Sequence, residues 1–386
     1  MGRKIATAMT LLLLGAFLPA GHAHGQTGNL VLQALQSRRT PSNENGGLGP
    51  LGVRSFFPPT LQFLDFVPDQ ALTLPEGSWS ITYQFAVSNT FLNSENPTFP
   101  NIVDPITSDD VKRGLTEADF STTGYGIYVD AELERHQLSF NYGFSPSLEI
   151  GIDLAWVAMG GGSLDSVILD VEDLFNAVNS NRVLVEEGRF DYYLIYNGSF
   201  IHNTSQPFSV EPQDPVLNVK WGLTRGGAFM PAFSVKFSYK LALQSNPGSP
   251  RSVVSSGEAD FGYSVLVGKR FGFIVAHFQQ AQVELGVPQR RFQSSRKFRM
   301  FTLEFQVNPD NAFLVQIVSQ TGLLNPPVDR SPTSTELVFS KPSELSSVGF
   351  KHGRNGLQLA VGFTEDVNST LNEADISLFL ELGWQF

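Results

Sequence analysis

The residues that could do chemistry in this chain are few and scattered. Its six histidines are His22, His24, His136, His202, His277 and His352, and none sits at a metal-ligand spacing. There is no cysteine, which removes a disulfide framework and a thiolate metal site together. His136 and Ser139 come nearest to a base and nucleophile pair, as in lipid hydrolases that work on an outer wall. Three residues apart on a strand, they face opposite sides, so no dyad is expected. Gly160-Gly161-Gly162 lacks the lysine and Ser/Thr of a phosphate loop and suits a flexible strand exit. No catalytic residue, metal ligand or cofactor motif is assigned, and an enzyme is not expected.

Charge is the other resource. The formal net charge of −11 argues against a nucleic-acid binder, whose affinity comes from neutralising phosphates. Two groupings stand out. Glu149 and Asp153, then Lys220, then Lys236 and Lys240 fall on the polar positions of three successive zigzag segments. Opposite charges on neighbouring strands should pair, either bracing the structure or forming a charged constriction that selects solutes. Arg290, Arg291, Arg296, Lys297 and Arg299 crowd a second stretch. Read as an outer loop, it could hold lipopolysaccharide phosphates by charge-assisted hydrogen bonds, or simply be solvated.

The elements that position these groups are strands. With 32 Phe, 35 Gly, 23 Pro and only 16% charged residues, the composition is turn-rich and aromatic-rich rather than helical. Trp79, Ile81, Tyr83, Phe85 and Val87 alternate with polar or small residues, as one face of a strand requires. The same zigzag recurs over Leu138 to Phe144, Leu148 to Trp156, Leu217 to Leu223, Phe233 to Leu241, Phe261 to Val267, Phe271 to Val275, Phe301 to Val307, Phe313 to Ile317 and Leu357 to Phe363. The final strand places Ile376, Leu378, Leu380, Leu382, Trp384 and Phe386 on one face up to the last residue. Such an end resembles the signal that barrel-assembly machinery reads on outer-membrane proteins. The polar face is mostly Gly, Ser, Gln, Asn and Ala, which suits a narrow barrel interior better than a solvated sandwich face.

Residues 1–23 have the form of a signal peptide, with Arg3 and Lys4, an apolar run over Ile5 to Ala20, and small residues before a cut near Ala23. Residues 24–49 are polar and are expected to be a flexible periplasmic leader. Residues 50–77 carry Pro58-Pro59, Pro68 and Pro75 among apolar residues and should lie extended at the barrel's periplasmic end or in its lumen. Residues 78–386 form the barrel.

Barrels of this kind keep short turns inside and long loops outside. Short connections at Ser145 to Ser147, Thr224 to Met230, Lys269-Arg270, Asn308 to Asn311 and Gly353 to Asn355 predict an all-β antiparallel transmembrane barrel of about twelve strands. Fourteen is the fallback, since Arg189 to Phe200 is also strand-like and is assigned to an outer-loop hairpin to keep parity. Outer loops are expected near Phe91 to Arg135, Val157 to Gln213, Gln244 to Gly257, Leu285 to Lys297, Thr321 to Pro332 and Glu365 to Ala374. Within the second lies one predicted helix, with Leu164, Val167, Ile168, Val171, Leu174, Phe175 and Val178 on one face. It would cover the barrel mouth or lie in the outer leaflet.

Three motifs carry a resemblance. Tyr142-Gly143-Phe144-Ser145-Pro146-Ser147-Leu148-Glu149-Ile150-Gly151-Ile152, Gly160-Gly161-Gly162-Ser163-Leu164-Asp165 and Gly362-Phe363-Thr364-Glu365-Asp366 look like an uncharacterised family of Gram-negative outer-membrane barrels, a domain of unknown function. The resemblance spans about Pro50 to Phe386 and implies fold and an outer-membrane location, with no catalytic residues to carry over. Two function classes follow: passage of a small or apolar solute through the barrel, or a non-transporting barrel that supports the envelope or presents loops to partners.

Overall fold

A computed structural model describes residues 46–93, 116, 124–162, 188–243, 251–286, 292–325, 331–332, 334–367, 374 and 376–386. The expected signal peptide, most of the expected leader, Arg290, Arg291 and the helix expected at 164–178 lie outside the described residues. Among the described residues fifteen strands follow one another: β1 (Trp79–Asn93), β2 (Tyr125–Ser145), β3 (Leu148–Gly160), β4 (Asp191–Tyr196), β5 (Ser199–Thr204), β6 (Phe208–Pro212), β7 (Val216–Arg225) and β8 (Ala232–Lys240) form the first group. After a short helix α1 (Arg251–Val254) come β9 (Asp260–Phe271), β10 (Ile274–Glu284), β11 (Ser295–Asn308) and β12 (Asn311–Gln320). Helix α2 (Ser334–Ser340) precedes β13 (Ser343–Arg354), β14 (Leu357–Asp366) and β15 (Ile376–Gln385).

All pairings are antiparallel, and the sheet closes because β1 pairs with β15 as well as β2. Trp79 and Phe386 exchange both backbone hydrogen bonds at 2.8 and 2.9 Å, so the final residue seals the seam. Three of the fifteen strands lie outside the ring: the hairpin β4–β5 extends β2, and β6 flanks the far end of β3. Twelve remain, which is the count that turn parity predicts.

The turns explain the hairpins. Asn355-Gly356 joins β13 to β14 with φ of 53° and 82°, and Asn197-Gly198 joins β4 to β5 with 51° and 73°. Two positive-φ residues match the right-handed twist of the flanking strands. Several expected boundaries move. The strand β9 runs through Lys269-Arg270, which pair with Ala276 and Val275 of β10, while Lys269 Nζ donates to the Gly227 and Ala228 carbonyls of the neighbouring turn at 2.7 and 2.8 Å. The strand β2 begins at Tyr125, ten residues inside the expected loop. The strand β11 begins at Ser295, inside the stretch read as a basic loop.

Apolar side chains of the zigzags point outward. Phe237, Phe261, Phe278, Phe301, Phe313, Ile317, Phe363 and Leu382 are all exposed on the wall, a face that only hydrocarbon would cover over so large an area. Closure leaves no strand edge within that belt, which is the condition for β-structure in lipid.

Candidate functional site: a plugged lumen

The segment from Gly46 to Gly77 occupies the interior, so residues 46–49, expected in the leader, lie with the segment expected from Pro50. Its first residues are held near the short-turn end, where Glu304 accepts hydrogen bonds from Leu48 N at 2.7 Å and Gly49 N at 3.1 Å. Gln316 both accepts from Leu51 N and donates to Leu51 O, each at 3.1 Å. A 3-10 turn at Pro58–Thr60 forms the apex. The chain then returns: Leu64 N donates to Asp260, Asp69 N to Gln279 and Leu74 N to Glu149. Gly77 meets Gly143 beside the short turn before β3. The plug therefore enters and leaves by one mouth. Proline denies it a strand's ladder, so inward amides, carboxylates and lysines of the wall satisfy its backbone instead.

The lumen is divided along its length. On β3, β10 and β11 the inward residues toward the long loops include Val157, Met159, Ala281, Val283, Phe298 and Met300, all buried. Toward the short turns they give way to Glu149, Asp153, His277, Gln279, Thr302 and Glu304. The plug matches this division. Its apex sets Phe57 against Phe339, Phe63 against Phe292 and Phe66 against Phe298, with ring centroids 5.4, 5.4 and 6.4 Å apart. Below them Asp69 meets the lysines.

All five charges singled out in the sequence face the interior. Lys220 bridges Glu149 at 3.2 Å and Asp69 at 3.3 Å, while Lys236 reaches Asp69 at 3.1 Å. Lys240 sits between Asp260 at 3.0 Å and Asp214 at 3.5 Å. Asp153 accepts from Asn218 at 2.8 Å. Burial alone would raise the carboxyl of Asp69, which sits on the plug and not on a spanning strand; Lys220 and Lys236 outweigh it and hold Asp69 well below the usual carboxylate range. Asp69, Glu304 and Arg135 escaped the sequence reading. For Arg135 a signal existed, since it continues the inward series Asn141, Ser139, Gln137.

A cavity of about 190 Å³ remains beside the plug's lower part, lined by Thr82, Gln84, Ser139, Asn141, Lys351 and Glu381 among others. Lys351 of β13 and Glu381 of β15 pair on its wall at 3.4 Å, over Ala360 of the strand between them. His136 faces outward and shares a 2.7 Å hydrogen bond with Tyr83, whereas Ser139 faces inward and accepts from Gln137. Among the described residues no cluster of three or more His, Asp or Glu could hold a metal ion.

The basic stretch needs correction. Because β11 starts at Ser295, alternation turns Arg296 inward, where it is almost wholly buried, donates to Gln320 at 2.8 Å and lies over the Phe298 ring. It cannot reach lipopolysaccharide. Lys297 and Arg299 remain exposed on the outer wall.

The profile described as "Protein of unknown function (DUF3187)" matches residues 30–386. The chain belongs to this family. No curated protein matches it. Among solved structures, the DUF3187 chain is similar to the COG4313 outer membrane channel from Pseudomonas putida F1, at 10% identity and a TM-score of 0.50, over 83% of this chain and 100% of that one. The toluene transporter TodX of Pseudomonas putida also aligns, at 10% identity and a TM-score of 0.37, over 89% of this chain and 96% of that one. The first likeness shows the fold, that of an outer-membrane barrel.

Proposed function

We propose that this DUF3187 protein is an outer-membrane channel for a small solute with an apolar body, shut at rest by its own residues 46–77. One observation carries the proposal. The lumen is filled by a single segment that begins and ends at one mouth and is fastened through side chain to backbone bonds, so it can withdraw without breaking the barrel's ladders. Withdrawal of its aromatic apex would vacate an apolar site under the long loops. Residues 1–23 would direct export, the strand ending at Phe386 would be read by the barrel-assembly machinery, and Lys297 with Arg299 would meet lipopolysaccharide phosphates at the outer wall. No catalytic step belongs to this reading.

The competing reading, a barrel that transports nothing, draws on the ion pairs of Lys220, Lys236, Lys240 and Lys351, which would brace a wall equally well. Uptake of the apolar fluorophore 1-N-phenylnaphthylamine by intact Gram-negative cells separates them. Expression of the chain should speed uptake several-fold, and Asp69→Asn should speed it further. Rates equal to those of cells with empty vector would leave the bracing role alone.

A further inference from the structure

Around a smaller cavity, of about 50 Å³, between the plug and strands β2, β3 and β7, the charges are ion-paired with two exceptions. Arg54 meets Asp65, Lys236 meets Asp69, and Lys240 meets Asp214 and Asp260. Arg135 and Asp153 are left with no opposite charge in contact. The Arg135 side chain is only 5% exposed, yet its bond is from Nε to the neutral Gln213 amide at 2.7 Å. Asp153 has only the Asn218 amide. A buried guanidinium that touches no carboxylate is costly, and Asp153 and Asp65 act on Arg135 only across space.

The register explains why the two do not meet. Asp153 lies opposite Ser139, and Arg135 is four residues farther along β2, so their backbones are offset by roughly 13 Å. The two side chains extend into the space between, within range of each other's charge but not in contact. Both line the same cavity. A water needs about 10–15 Å³ of such volume, so the space takes three to five heavy atoms, the size of an amino-acid head group. Leu64, Phe66 and Val216 supply its apolar wall. It adjoins the polar 190 Å³ cavity through Asp153, Gln137 and Asn218, and Leu61, Phe63 and Val67 extend its apolar wall on the plug side.

We propose that this cavity binds a small zwitterion with an apolar side chain, its carboxylate against Arg135 and its ammonium against Asp153. The site deepens the channel reading by naming the solute class, and rests on that reading only for the route by which the solute arrives. Guanidinium suits the first role because it presents a fork of donors matched to a carboxylate.

Isothermal titration of the full chain in detergent tests it with three probes: leucine, 4-methylpentanoate, which lacks the ammonium, and 3-methylbutylamine, which lacks the carboxylate. Leucine should bind tightest. Arg135→Gln should weaken leucine and the acid at least tenfold and spare the amine; Asp153→Asn should weaken leucine and the amine and spare the acid. Arg135→Lys should recover part of the acid binding, and heat-modifiable gel migration verifies that each barrel is folded. Absence of leucine binding by the folded wild-type chain, or leucine affinity unchanged in both folded variants, overturns the site. Slow phenylnaphthylamine uptake with leucine binding intact would instead overturn the channel and leave the site standing.

Discussion

Asp69 and Lys236 fasten the plug to the wall through a 3.1 Å ion pair, and the same carboxylate holds Lys220 at 3.3 Å. The group lies on the returning limb, below the aromatic apex, where release would let both limbs slide toward the short-turn mouth. Asp69→Asn removes the charge that two lysines share and is expected to loosen the plug by about 1.5–3 kcal/mol, the range for hydrogen bonds to charged groups. Limited proteolysis in detergent reads this directly: cleavage within residues 46–77 should quicken tenfold or more while the strands stay intact.

Acidity should affect the latch little over the ordinary range. A carboxyl lowered in the folded state contributes stability that is complete above its unfolded value near 4 and fades only as pH falls toward its depressed folded value. Plug cleavage rates for the wild-type chain should therefore be flat between pH 8 and pH 5. A rise near pH 6 would mean that another group governs release.

The plug's apex needs a wall without side chains at one point. A Cβ placed on Gly262 of β9 would stand 2.5 Å from the Phe66 ring, so Gly262→Ala should push Phe66 from its place against Phe298. Overpacking of this kind costs about 1–3 kcal/mol. Thermal scans should show a lowered first transition with the barrel's own unfolding unmoved.

Much of this was legible in the chain. The zigzags from Trp79 onward set strand, face and ring number, because a period of two survives wherever one face meets hydrocarbon and the other a polar lumen. It inverts at the far end of β2, where Tyr125 to Leu133 are all buried: Ile127, Val129, Ala131 and Leu133 still alternate with Tyr128, Asp130, Glu132 and Glu134, but the apolar set takes the inward positions that Gln137 and Ser139 continue. A zigzag of opposite sense does not extend the one from Leu138 to Phe144, so the stretch reads as loop. Residues 50–77 have no period at all, so nothing marked Asp69 as the partner of two lysines more than 150 positions away. Arg296 was misplaced for a simpler reason: the loop was run to Lys297, whereas the zigzag of Phe301 to Val307 carried back to Ser295 already puts Arg296 on the inward face.

The outward belt carries its own test. Phe301 lies on the wall of β11, exposed and flanked across the sheet by Phe278 and Ile317. Phe301→Lys should destabilise the folded barrel in lipid vesicles by about 2–4 kcal/mol, as for a lysine near the bilayer midplane. Denaturant titration in vesicles measures it. A change below about 0.5 kcal/mol would place that face in water.

Conductance of a planar lipid bilayer addresses the main proposition most directly, comparing residues 24–386 with residues 78–386, each verified as a folded barrel by heat-modifiable migration. The longer chain should be closed for most of the record with brief openings, and the shorter chain should conduct steadily. Equal conductance from the two, or none from either, would contradict a channel shut by its own plug.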